Sequence, residues 1–151
     1  MSDTLRLGNE LLRSAARLNR WASRNASLGV PFAQVRLLAL LEELGAARVS
    51  DVARADHSSQ PTATAGIQRL EAAGWAERLV DARDGRASIV RLTPAGQDAL
   101  AGARAARASA LEPVLAELRR LDPAALNRVA EAVTVIEQVL ALAAAPSPVT
   151  T

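Results

Sequence analysis

The stretch from Ser50 to Leu92, SDVARADHSSQPTATAGIQRLEAAGWAERLVDARDGRASIVRL, constrains the chain more than any other. Its apolar spacing and turn residues predict a short helix, a tight turn, a longer helix with one polar face, and a β-hairpin. In the longer helix Ala63, Ile67 and Leu70, then Gly74 or Trp75, keep the spacing of a buried stripe. The opposite side carries Thr62, Thr64, Gln68 and Arg69. Short or planar hydrogen-bonding groups of this kind reach base edges and phosphates in a major groove that admits a helix, although taken alone they also suit a solvated face. Pro61 tolerates a first-turn position, and Ser59 or Gln60 caps the end, so the helix starts near residue 60.

Upstream, Ser50 is expected to cap a helix of about Asp51 to Ala55 with Val52 and Ala53 facing inward, and Asp56-His57-Ser58 supplies polar turn residues. Downstream, Gly74 ends the longer helix as a left-handed cap would. Trp75 to Asp81 and Ala87 to Leu92 then read as two strands around Ala82-Arg83-Asp84-Gly85-Arg86, a turn with glycine at a position suited to positive φ. Short helix, turn, second helix and hairpin in this order make a winged helix-turn-helix.

These residues resemble the MarR-type (multiple antibiotic resistance) transcriptional regulators. The resemblance rests on the helix-turn-helix, on LEAAGWAERLVDARDGRASIVRLTPAG, and on long helices at both ends. The Asp-x-Arg signature of the wing tip is matched by Asp84-Gly85-Arg86, and the strand ending Leu-Thr-x-x-Gly by Leu92-Thr93-Pro94-Ala95-Gly96. Gly85 departs from the arginine or lysine common in the family, with Arg83 as a nearby replacement for the charge. The resemblance implies double-stranded DNA as partner, with Ser59, Gln60, Thr62, Thr64, Gln68 and Arg69 on the groove-facing helix. Arg83, Asp84 and Arg86 would act at the wing, Arg86 entering the minor groove while Asp84 holds it.

The remaining helices follow from periodicity. The first, about Thr4 to Ser23, puts Leu11, Ala15, Leu18 and Ala22 on one stripe, widened by Leu5, Leu7, Leu12 and Trp21. Arg20 and Arg24 at its end complement the helix dipole, the reading preferred here over contact with DNA. Pro31 opens a second helix through about Leu44 with Val35, Leu38, Leu41 and Leu44 inward, and Gly45 closes it. Ala47 to Val49 adds a short strand beside the wing. Thr93 and Pro94 start a long helix through an alanine-rich tract to about Arg120. Asp122 and Pro123 start the last, to about Ala143, with Leu126, Val129, Val133, Ile136 and Leu140 in register.

The expected fold is thus mainly α with a small β-hairpin: a winged helix-turn-helix core flanked by N- and C-terminal helices. The expected partition is residues 1–30 for the first helix, 31–95 for the winged region, 96–144 for the last two helices and 145–151 for a disordered tail. The end helices are more apolar than a small winged helix can cover. Their partner, by resemblance, is a second copy in a two-fold homodimer; an intramolecular bundle is the alternative.

Composition removes other functions. The chain has no cysteine, so disulfides, thiol sensing and zinc–thiolate sites are excluded. Its one histidine, His57, suits the turn better than ligation, and neither metal nor cofactor is expected. There is no nucleophile elbow, phosphate-binding glycine loop or metalloprotease helix motif, which argues against an enzyme. No apolar run spans a membrane and no secretory signal opens the chain, so a cytoplasmic protein is expected.

All 18 basic residues are arginine, which lifts the pI to about 10.8 while the net charge is only +2. Residues 49–95 hold six arginines against six carboxylates, a neutral balance that does not by itself favour DNA. A winged helix used only for protein contacts is therefore the alternative function. The two arginines Arg83 and Arg86 at the tip weigh against it.

Members of the resembled family commonly release DNA when a small aromatic or phenolic anion settles near the junction of dimer helices and winged helix. Trp21, Arg24, Phe32 and His57 are the candidates for such an effector here, with an apolar wall and cationic or imidazole donors. A plain core role is the preferred reading of Trp21 and Phe32.

Overall fold

The computed structural model describes residues 2–27, 29–81, 84 and 88–145. In chain order the elements are α1 (Asp3–Asn25), α2 (Phe32–Leu44), β1 (Ala47–Arg48), α3 (Val49–Ala55), α4 (Gln60–Ala72), β2 (Ala76–Val80), β3 (Ser88–Leu92), α5 (Pro94–Leu121) and α6 (Ala125–Ala144). The strands form one antiparallel sheet in the order β1-β3-β2, with Ala47 opposite Val90 and Glu77 opposite Arg91. The fold is the expected one, mainly α with a small hairpin.

The chain divides into two compact units, residues 1–110 and 111–151, the division falling inside α5. In the first, Leu38 and Leu41 of α2, Val52 of α3, Ile67 and Leu70 of α4, Val90 of β3 and Leu100 of α5 are fully buried. Each comes from an amphipathic face, so one core fixes the helix-turn-helix, the sheet and the start of α5 together. Leu37, missed by the α2 stripe, is also buried and faces Gly66: a Cβ on Gly66 would lie 2.4 Å from the Leu37 Cδ1. Leu44 was expected inward but is 39% exposed, because α2 ends there at Gly45, whose φ of 68° turns the chain away.

Several boundaries differ from the expectation. Ser50 does not cap α3: the helix starts at Val49, with Arg48 in the N-cap position and no side-chain cap. The β1 pairing explains this, since Arg48 is held in extended conformation opposite Ile89 until the helix begins. Pro123 does not start α6 either. The Asp122 carboxylate accepts from the Ala124 N–H at 3.0 Å and its carbonyl from the Ala125 N–H at 3.0 Å, closing a turn ahead of the helix. Trp75 stands outside β2, and α1 begins earlier than expected because the Ser2 side chain caps it at the Leu5 N–H, 3.2 Å away.

In the second unit Arg120 pairs with Glu117 at 2.6 Å and Arg128 pairs with Asp122, so the ends of the α5–α6 turn are tied by charge. The apolar side chains Val133, Ile136, Leu140 and Leu142 of α6 are exposed in the single chain, as are Leu5, Leu7, Leu12 and Leu18 of α1. The tail expected to be disordered lies, apart from Ala145, outside the described residues.

Candidate nucleic-acid interface

The helix-turn-helix is made by a backbone motif. After α3 the Ser58 N–H donates to the Ala53 carbonyl at 3.0 Å and the His57 N–H to the Arg54 carbonyl at 3.2 Å. This is a Schellman closure with His57 in the left-handed position, φ 52°. Helix α4 ends identically, with Trp75 N–H to the Leu70 carbonyl at 2.8 Å, Gly74 N–H to the Glu71 carbonyl at 2.9 Å, and Gly74 at φ 74°. Histidine thus occupies the place that glycine takes one helix later.

Ser59 caps α4 as expected. Its backbone is extended, its hydroxyl accepts from the Thr62 N–H at 3.3 Å, and the Ser59 and Thr62 hydroxyls are 2.8 Å apart. Gln60, Pro61, Thr62, Gln68 and Arg69 are exposed, whereas Thr64 is half-buried. At about 100° per residue, the line opposite the buried Ala63, Ile67 and Leu70 runs through Pro61, Ala65, Gln68 and Ala72. Thr62 and Arg69 flank it on one side, Gln60 and Thr64 on the other. A search for polar residues passes over Pro61, Ala65 and Ala72, yet apolar carbons on this ridge suit the methyl group of thymine.

The wing is anchored by charge. Arg48, the last residue of β1, donates to Asp81 at 2.7 and 3.1 Å and lies 3.6 Å from Asp84. The hydrogen bond to Asp81 raises the Arg48 pKa further above its ordinary range. Arg78 grips Glu71 at the end of α4, 2.9 and 3.1 Å from its two oxygens, and Arg91 pairs with Glu77 across the strands at 2.7 Å. Arg83 and Arg86, the expected tip residues, lie outside the described residues.

These contacts account for the neutral charge balance. All six carboxylates of residues 49–95 are paired with arginine: Asp51 with Arg54, Asp56 with Arg36, Glu71 with Arg78, Glu77 with Arg91, and both Asp81 and Asp84 with Arg48. Two of those partners, Arg36 and Arg48, come from before residue 49. Arg69 has no ion pair among the described residues and keeps its charge for α4's outer face. Apart from Asp51 and Arg54, three residues apart on α3, the partners are separated by more than a helical turn, Arg48 and Asp81 by 33 residues, so no local sequence signal reveals them.

The effector candidates are not gathered in one place. Trp21 and Arg24 line an open hollow of about 540 Å³ on α1 with Ser14, Arg17, Leu18 and Arg20, to which Phe32 and His57 contribute nothing. Phe32 instead lies under the Arg107 guanidinium of α5, 5.6 Å from the ring centroid, a cation–π contact the sequence did not suggest. His57 is exposed in its turn. Among the described residues no three acidic or imidazole groups gather as metal ligands, and no helix is long and apolar enough to cross a membrane.

Residues 28–87 match the MarR family model. The fold is similar to that of a transcriptional regulator from Thermotoga maritima, at 22% identity and a TM-score of 0.71, covering 90% of this chain and 98% of the other. Wild-type MarR from E. coli is similar at 22% identity and a TM-score of 0.63, over 86% and 96% of the two chains. So is a MepR variant from S. aureus bound to an oligodeoxyribonucleotide, at 20% identity and a TM-score of 0.58, over 87% and 96%. No curated protein matches the chain. The MarR family model thus falls on the helix-turn-helix and wing, and the likeness in fold to the solved structures runs over most of the chain.

Proposed function

We propose that this protein is a repressor that binds a pseudo-palindromic operator as a homodimer. The observation that carries the reading is the outer face of α4. It is capped by Ser59 and fixed by left-handed turns at both ends, its ridge through Pro61 and Gln68 is exposed, and the one carboxylate of the helix, Glu71, is neutralised by Arg78. Each protomer lays α4 in the major groove. Two-fold symmetry then sets the half-sites about 10 bp, one helical turn, apart.

Gln68 and Thr64, with Thr62, read bases; Ser59, Gln60 and Arg69 serve bases or phosphates; Arg86, with Arg83 beside it and Asp84 holding it, enters the flanking minor groove. DNA as the partner makes the cytoplasm the place of action. The exposed apolar side chains along α1, and separately along α6, support the dimer, because large apolar side chains left uncovered on a helix face mark an interface. The oligonucleotide bound by the related MepR variant supports the choice of DNA.

An aromatic anion near Trp21 and Arg24, with Phe32 and His57 as further candidates, would release the operator if it binds the DNA-incompetent spacing of the two α4 helices more tightly. The deciding experiment is a mobility shift on the DNA flanking the protein's own gene, with light scattering for the mass of the free protein. A specific shift by a dimer supports the reading; a monomer, or no shift beyond bulk DNA, overturns it. Titrating the complex with salicylate-like compounds tests the effector, and unchanged DNA occupancy at saturation removes that part alone.

A further inference from the structure

Helix α1 has a polar surface that neither the winged helix nor the apolar faces account for. Arg13, Arg17, Arg20 and Arg24 repeat at intervals of four, three and four, which at about 100° per residue keeps them in one line. Leu7, Leu11, Ala15, Leu18 and Ala22 fall on the opposite side. The line is about 16 Å long at about 1.5 Å rise per residue. All four guanidinium groups are exposed and none has an ion pair among the described residues. The ion pairs of α1 are at Arg6, with Asp3 and Glu10, and no carboxylate occurs from Leu11 to Leu41. Arg17, Arg20 and Arg24 line the hollow already described together with Trp21, which is 37% exposed and lies to one side of the row.

We propose that this line binds the phosphate backbone of a single-stranded nucleic acid, with an unpaired base stacked on Trp21. Like charges one turn apart weaken a helix, and here no carboxylate offsets them, so an external polyanion is what would neutralise the row. The row is linear, which suits a strand better than a compact anion. The indole beside it distinguishes the kind of strand. Stacking on an aromatic side chain needs a base free of its own stack, and a positive track with an interleaved aromatic is how single strands are held without sequence preference. An anionic bilayer is the competing occupant, since an amphipathic arginine-bearing helix can lie in a membrane interface. It would need the leucine face of α1, which the proposed dimer covers, whereas the arginine row lies on the opposite side of the helix.

The test is the anisotropy of a labelled oligo(dT) of about 12 nucleotides, within the usual site sizes, titrated with the full chain at several salt concentrations. The wild type should bind at low salt, with quenching of tryptophan emission that Trp21→Leu abolishes. The slope of log K against log salt reports about 0.7 per phosphate contact on single strands. The triple variant Arg13→Gln, Arg17→Gln, Arg20→Gln should flatten that slope by about 2 and weaken binding at least tenfold, with unchanged helix content and unchanged operator binding. No strand binding by the wild type, or equal slopes in wild type and variant, overturns the inference. So does binding to phosphatidylserine vesicles that oligo(dT) fails to displace. Operator duplex measured in parallel separates the two readings, because loss of duplex binding by the wild type strikes the repressor and leaves the strand result standing.

Discussion

Gly96, in the first turn of α5, lies against the Trp75 carbonyl so closely that a Cβ on it would stand 2.0 Å from the oxygen. Around this contact the Thr93 hydroxyl donates to the Gly74 carbonyl at 2.6 Å and accepts from the Gly96 N–H at 3.1 Å, while the Thr93 N–H donates to the Trp75 carbonyl at 3.1 Å. The Leu-Thr-x-x-Gly pattern is therefore a clasp joining the exit of α4 to the entry of α5. Gly96→Ala must move backbone and should destabilise by about 1–3 kcal/mol, the usual range for overpacking. Gly66→Ala meets only the flexible end of Leu37 and gains helix propensity, so it should stay within about 1 kcal/mol of wild type. Urea denaturation of both variants checks the ordering; equal losses would mean the clasp yields.

The turn between α3 and α4 stores strain at His57, since a left-handed residue other than glycine costs about 1–2 kcal/mol. Glycine removes that cost but brings a larger unfolded-state entropy, about 0.5–1 kcal/mol. His57→Gly is thus expected to be neutral or stabilising by up to about 1 kcal/mol, and His57→Val clearly destabilising. Thermal denaturation decides; a His57→Gly variant as weak as His57→Val would show that the imidazole itself is structural.

How much could be read from the sequence follows from which interactions are local. The buried stripe of α4, the Ser59 cap, the Gly45 and Gly74 exits and the Pro94 start depend on neighbours within a turn, and those expectations hold. The Ser50 cap fails because β1 pairing with β3, about 40 residues on, decides where Arg48 stops being extended. The Pro123 start fails because the Asp122 side chain closes its own turn first. In the site the outward residues were legible as polar helix positions, but which arginines are spent on internal carboxylates was not. Arg36 with Asp56 and Arg48 with Asp81 are set by packing that brings distant segments together.

Glu42 of α2 and Arg104 of α5 form a two-pronged pair at 2.6 and 3.0 Å, and the hydrogen bond from Arg104 holds the Glu42 carboxyl below its ordinary range. Glu117 and Asp122 are lowered in the same way by Arg120 and Arg128. A carboxyl depressed in the folded state takes up its proton earlier in the unfolded chain. Its contribution is full above the unfolded value of 4.5 and disappears as pH falls through the folded pKa. Glu42→Gln should therefore lower Tm at neutral pH, and the gap from wild type should narrow as pH drops below 4.5. Melting curves from pH 7 to pH 3 test this, and a gap that stays constant with pH would assign the loss to packing.

Base readout and phosphate contact make separable demands on the α4 face and the wing. Gln68 sits at the centre of the outer ridge, where a planar amide can pair with an adenine edge, an interaction worth about 1–3 kcal/mol of discrimination. Arg69 and Arg86 act through charge, which is blind to sequence and screened by salt. Gln68→Ala should change which base is preferred at one position of each half-site while the salt slope stays that of the wild type. Arg86→Ala should instead weaken binding to all sequences, flatten the salt dependence by about 0.9 for each lost contact per protomer, and leave Tm nearly unchanged. Selection from a randomised operator pool, followed by titrations at three salt concentrations, reads both. Uniform loss in Gln68→Ala would move base recognition to the neighbouring Thr64 and Ala65 positions, and unaltered affinity in Arg86→Ala would remove the wing from the interface.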